Sequence, residues 1–206
     1  MEKIRKPEIE EEMHPARIAL EMKKDRSDNC EFREEKAERL DSHSFFECTF
    51  TNVTMNDRGD RSEFADTTFD HCDFSNADFH ESALRRVVFK GCRLTGAVFE
   101  NCSFQDVTFE NCQIAYGNFS ASTLKKTLFD DCAMNESGFI QVKQNTLLFD
   151  HCDLSASEWL ETSMRNIDLS TSEIEGISVT PSSLRGVYVN ASQAVELSAL
   201  LGIHVK

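Results

Sequence analysis

Cys102-Ser-Phe-Gln-Asp-Val-Thr-Phe109 and Cys72-Asp-Phe-Ser-Asn-Ala-Asp-Phe79 decide the fold. In each, two Phe stand five residues apart, and a small side chain precedes each Phe by two. From residue 60 onward the Phe at 64, 69, 74, 79, 89, 99, 104, 109, 119, 129, 139 and 149 all share this register. Chance alignment of twelve residues in one of five registers has a probability of about 10⁻⁸, so the repeat is real. Leu84, Leu94, Ile114, Leu124, Met134, Leu154, Trp159, Met164, Leu169, Ile174, Val179, Leu184 and Val189 fill the gaps, and only Gln144 breaks the series between 64 and 189.

A five-residue period fits neither a helix at 3.6 nor a strand at 2. It fits a chain that turns once per repeat, with one large and one small residue inward each time and the large one at the corner. Cys72, Cys92, Cys112, Cys132 and Cys152 recur every 20 residues, so four such sides close one coil. Coils then stack at strand spacing, about 4.8 Å. The reading is an all-β, four-sided β-helix from 45 to 190. A short C-terminal α-helix follows over 191–201, capped by Asn190 or Ser192 and stopped by Gly202. The register slips by one residue between Met55 and Phe64, which places a loop at 56–61. Residues 1–44 carry no repeat beyond Cys30-Glu-Phe32 and read as a charged, loosely structured arm. Within it, 15–26 is a candidate amphipathic helix with Ile18 and Met22 on one face.

The chain has 206 residues, 22 basic and 36 acidic, for a net charge of −14. That balance argues against protein-wide attraction to nucleic acid or an anionic membrane. No apolar run approaches 18 residues and no signal peptide is evident, so a cytoplasmic protein is expected. Eight Cys without a CxxC pair read as free, inward thiols, with no metal site among them. The six His match no catalytic spacing, and no nucleophile elbow, phosphate loop or HExxH occurs. No catalytic residue, metal or cofactor is expected, and the chain is read as a non-enzyme.

Charge is more informative when folded on the 20-residue period. The stretch after Phe69 and its equivalents carries Asp70, Asp73, Glu110, Asp130, Asp131, Asp150 and Asp153. The stretch after Leu84 and its equivalents is basic, with Arg85, Lys125 and Arg165 beside Val88, Leu128, Leu148 and Tyr188. Glu8 to Glu12 of the arm are expected to cover that strip.

The repeats at 72–79 and 102–109 resemble the pentapeptide-repeat family, whose fold is a right-handed quadrilateral β-helix. Cys152-Asp-Leu-Ser-Ala-Ser-Glu-Trp-Leu160, Ile167-Asp-Leu-Ser170 and the stretch Ser192 to Ile203 resemble the Qnr-type quinolone-resistance proteins of Gram-positive bacteria. The resemblance implies a DNA-mimicking rod that binds DNA gyrase and topoisomerase IV, protects them from quinolones, and binds no nucleic acid itself. It also implies a homodimer through the C-terminal helix, with Ala194, Val195, Leu197, Leu200 and Leu201 at the contact. The long loops that Gram-negative members project from the rod are absent here. The alternative is a scaffold or interaction rod without a topoisomerase target.

Overall fold

The computed structural model describes residues 3–9 and 13–205, with only the backbone of Leu201 included. It is a four-sided, right-handed parallel β-helix of about eight coils with a short C-terminal helix. The local cause is visible in the backbone. Twenty-five of the described non-glycine residues adopt positive φ, among them Asp66, His71, Asn76, Glu81 and Arg86. Within the repeat each stands two residues after a large inward side chain. The large residue therefore lies mid-side, and the chain turns after it. That corrects the expected geometry, in which Phe and Leu sat at the corners.

Two of the four corners in a coil are closed by turns such as Ala77 N–H to the Phe74 carbonyl at 3.0 Å. Elsewhere a long strand bends through the left-handed residue. Five such strands, β6 (Glu63–Asp70), β7 (Ala83–Lys90), β8 (Ser103–Glu110), β9 (Thr123–Asp130) and β10 (Lys143–Asp150), pair in parallel. Their register is in phase, with Phe69, Phe89, Phe109, Phe129 and Phe149 paired one above another. Ring centroids in this column lie 4.7, 4.7, 4.8 and 5.2 Å apart. A second column runs Phe79, Phe99, Phe119, Phe139 and Trp159. All eight Cys are free and buried. The thiols donate to backbone carbonyls, as Cys112 Sγ does to Phe89 at 3.5 Å and Glu110 at 3.4 Å. Burial pushes the Cys48 and Cys102 thiols up to about 12, which makes them packing groups, not ready thiolates.

The helix begins well before residue 45, so the 1–44 arm expected from the sequence is a correction. Here β2 (Arg26–Asp28) pairs with β4 (Ser44–Phe46), and β3 (Cys30–Arg33) with β5 (Thr49–Thr51). Phe32 stacks on Phe50 at 4.7 Å, and Phe50 on Phe69 at 4.9 Å. The spacings 32 to 50 and 50 to 69 are 18 and 19 residues, so these coils escape a 20-residue period. The shortened coil passes Gly59, where a Cβ would lie 2.8 Å from the Phe79 ring. Its amide nonetheless pairs with the Asp78 carbonyl at 2.8 Å. The expected loop at 56–61 is thus a tightened coil. At the N-terminal end β1 (His14–Pro15) pairs with β3, and α1 (Ile18–Glu21) follows. The helix is one turn, shorter than expected, yet Ile18 is buried and Met22 packs on the core as the pattern indicated.

At the other end the main sheet stops at β10. There Gln144, the one polar residue in a large position, donates Nε2 to the carbonyls of Ser163 and Arg165 at 3.2 and 3.0 Å. Opposite, β11 (Glu158–Trp159) pairs with β12 (Ser178–Val179). The helix α2 (Ala191–Ser198) is started by a capping box between Asn190 and Gln193. Gln193 Nε2 also donates to the carbonyls of Leu169 and Ser172 at 2.8 and 2.7 Å, which satisfies groups that a further coil would have paired. A 3-10 turn, Ala199–Leu201, ends at Gly202 with φ 71°.

Phe109 is fully buried between Phe89 and Phe129. Phe109→Ala should cost about 3–5 kcal/mol in a denaturant titration. Glu110→Ala, one residue on and facing out, should change stability by about 0.5 kcal/mol or less. Equal costs would contradict the register.

Candidate partner-binding edges

Because the corner follows the large residue, 70–73 straddle a corner instead of lying along a side. The expected acidic side is an acidic edge. On one flank the strand ladder aligns Asp70, Lys90, Glu110, Asp130 and Asp150 in successive coils. On the other flank, bridges align Asp73, Arg93, Gln113, Ala133, Asp153 and Glu173. Asp131 sits at the corner itself, with φ 50°. All seven predicted carboxylates therefore share one edge, but not as one run. Lys90 and Arg93 separate Asp70 and Asp73 from the continuous stretch Glu110 to Asp153.

The stack has an electrostatic signature. Partial burial raises the Asp130 carboxyl above its ordinary value, and Asp131, Asp150 and Glu110 add to the rise. His71 Nδ1 lies 2.7 Å from Asp70, and His151 Nδ1 lies 2.9 Å from Asp150. The two His thus flank acids near the two ends of the edge. No group of three or more His, Cys, Asp or Glu among the described residues is arranged to hold a metal ion. No helix among them is long and apolar enough to cross a membrane.

The basic edge is not simply basic. Its corner column alternates Asp66, Arg86, Asp106 and Lys126, and both carboxylates are buried, at 8% and 4% exposure. Residues 3–9 lie over it. Arg5 N–H donates to Asp106 Oδ1 and Glu8 N–H to Asp66 Oδ1, each at 3.1 Å. Lys6 Nζ reaches Glu110 at 4.0 Å. Burial works to raise Asp66, but the Arg86 guanidinium and the Glu8 N–H outweigh it and hold the carboxyl below its ordinary value. A covering arm was expected over this strip. The described contacts come from residues 3–9, and of the expected Glu8 to Glu12 cover, positions 10–12 lie outside the described residues. Along the strip beside this column Thr108 is buried, Val88, Leu128 and Leu148 are half-buried and Tyr188 is exposed. The carboxylates that hold the arm, Asp66 and Asp106, were not singled out in the sequence. Their signal was the alternation of sign down one column.

At the C-terminal end Leu197 turns into the core, whereas Ala194, Val195 and Leu200 face solvent. The Leu201 side chain lies outside the described residues. Ile203 and Val205 extend the exposed apolar set.

Residues 62–139 match the family model described as pentapeptide repeat region. The matched stretch lies inside the part of the chain that holds the five-residue register. It is similar to a trypsin-treated variant of QnrB1, a plasmid-mediated fluoroquinolone resistance protein, at 26% identity and a TM-score of 0.47, over 88% of this chain and 90% of that one. It is also similar to HetL, a pentapeptide-repeat protein involved in heterocyst differentiation regulation from the cyanobacterium Nostoc sp. strain PCC 7120. There the identity is 14% and the TM-score 0.36, over 80% of this chain and 89% of that one. No curated protein matches the chain in sequence.

A carboxyl raised on folding binds protons more readily in the folded state, so stability falls as pH rises through the folded value. Asp130→Asn should therefore stabilise the protein at pH 7, by less than about 1 kcal/mol given its partial exposure. The gain should vanish below the ordinary carboxylate range near pH ~3.9. Thermal unfolding of both chains across pH 3–7 would show it, and a gain independent of pH would contradict the stacked-carboxylate account.

Proposed function

We infer that this chain is a DNA-mimicking protein that binds a type II topoisomerase, DNA gyrase or topoisomerase IV, and protects it from quinolones. The observation that carries the reading is the stack Glu110, Asp130 and Asp150 in adjacent coils, with Asp131 and Asp153 alongside. Coil spacing sets these charges about 4.8 Å apart along the rod. Phosphates on one strand of a duplex recur at about 3.4 Å, so the likeness is one of overall field. A negative edge on a stiff rod about 40 Å long suits a basic groove that ordinarily holds DNA. The net charge of −14 adds to the attraction at long range.

In this reading α2 doubles the rod. Val195 and Leu200 are exposed while Leu197 anchors the helix to the core, so the helix has one apolar surface spent and one open. A second copy packed there about a two-fold axis would cover it. The alternative, an interaction rod without a topoisomerase target, draws on the exposed Tyr188 beside Arg165 and Arg185 as its contact.

Supercoiling by gyrase in the presence of ciprofloxacin tests the target. The wild-type chain should raise the drug concentration needed for half-inhibition. Replacing Glu110, Asp130 and Asp150 together by Lys should abolish the protection, while the same change at Glu100, Glu136 and Glu161, on other sides, should not. Equal loss from both sets would assign the effect to net charge, and no protection by the wild type would leave the interaction rod as the reading. For assembly, Val195→Asp with Leu200→Asp should turn a dimer into a folded monomer in sedimentation. A dimer unchanged by both would remove α2 from the interface.

A further inference from the structure

We propose that residues 3–9 are an autoinhibitory strap, and that the column beneath them is a docking line for an extended basic segment of a partner protein. The inference deepens the acidic-edge reading and rests on it for the sign of the partner. The geometry is a matched ruler. Asp66 and Asp106 are two coils apart, about 9.6 Å. The amides that meet them, Arg5 and Glu8, are three residues apart, about 10 Å in an extended chain. The strap thus runs along the rod axis, across the coils, and its backbone satisfies one carboxylate in every second coil. Arg86, in the coil between, is paired with Asp66 and leaves that site accepting the Glu8 N–H.

These contacts read backbone, not side-chain identity, so another extended chain with donors at the same interval fits the same two acceptors. The strap carries Lys3, Arg5 and Lys6, and Lys6 is aimed at Glu110 on the continuous part of the acidic edge. One segment therefore occupies three carboxylates, of which two are buried with the strap in place. Corner residues at the equivalent position of the other two clearest columns, 71, 111, 131 and 151 and 81, 101, 121, 141 and 161, are exposed. In the strap's own column, Thr146 and Asn166 beyond it are half-buried and exposed, so the strap adds to the burial at 66 and 106. When it leaves, Asp66, Asp106 and Glu110 become available together, on the flank of the proposed partner edge. A basic segment that follows the same axis completes the contact.

The test removes the two donors without changing net charge. Arg5→Pro with Glu8→Pro deletes both N–H groups and subtracts one cation and one anion. Trypsin cleavage after Lys3 reports strap release, and anisotropy of a fluorescein-labelled nonalysine peptide at low salt reports access to the carboxylates. Faster cleavage and about three- to ten-fold tighter peptide binding than wild type are expected, the ratio being set by the fraction of wild-type chains with the strap docked. Adding Asp106→Asn to the double variant should reverse most of the gain, whereas Glu100→Gln, an equal charge change on another side, should not. Unchanged cleavage would refute the docked strap. Faster cleavage with unchanged peptide affinity would refute autoinhibition, as would equal effects of the Asp106 and Glu100 changes. The assay contains no topoisomerase, so a strap effect without drug protection would separate this inference from the proposed target.

Discussion

Every other feature of the rod depends on one stacked contact, a large inward side chain lying on its equivalent in the next coil. The corners that create the coil are unfavourable taken singly. Twenty-five of the described non-glycine residues hold positive φ, a region that costs L-residues about 1–2 kcal/mol. Burial of the large side chain two positions earlier contributes about 1.5–3 kcal/mol, and the parallel ladder secures the amides around the corner. Corner and stack are therefore coupled. A side chain lost from the column leaves its own corner without the contact that keeps it turned. Gln144 shows the local remedy, since its amide replaces packing with hydrogen bonds to the next coil.

The same coupling explains how the chain starts and ends. At the N-terminus the ring stack continues through Phe50 and Phe32 even though the coils shorten to 19 and 18 residues. Inward contacts are kept and outward residues are dropped, with Gly59 making room beside Phe79. The open ends of a β-helix present unpaired backbone and apolar side chains. Ile18 of α1 covers one, and Gln193 with Leu197 of α2 covers the other.

Charge is organised by the pitch. With coils in register, residues 20 apart become neighbours, so a surface column inherits whatever sign the sequence repeats. Glu110, Asp130 and Asp150 make a like-charged column, and the Asp130 carboxyl is raised by its partial burial and further by these neighbours. Asp66, Arg86, Asp106 and Lys126 make an alternating one, which can accept a chain laid along it. One edge is arranged to attract from a distance, and the other to hold an extended segment in contact.

The sequence alone determined the side that faces inward, the four-sided coil and the grouping of the acids, because each follows from a register that runs from 62 to 190 with Gln144 as its one polar member. A period also implies the in-phase ladder, and hence that Asp130 has Glu110 and Asp150 as neighbours. It carried little information where the coil length varies, so Phe32 and Leu40 looked like parts of an arm although they are core. Nor did it place the corner, since position within a five-residue repeat is decided by backbone torsion and not by hydropathy. Only the tertiary structure decided where residues 3–9 lie. Their partners are 58 and 101 residues away in sequence, and backbone N–H groups meeting carboxylates leave no pattern in side-chain identity to be read.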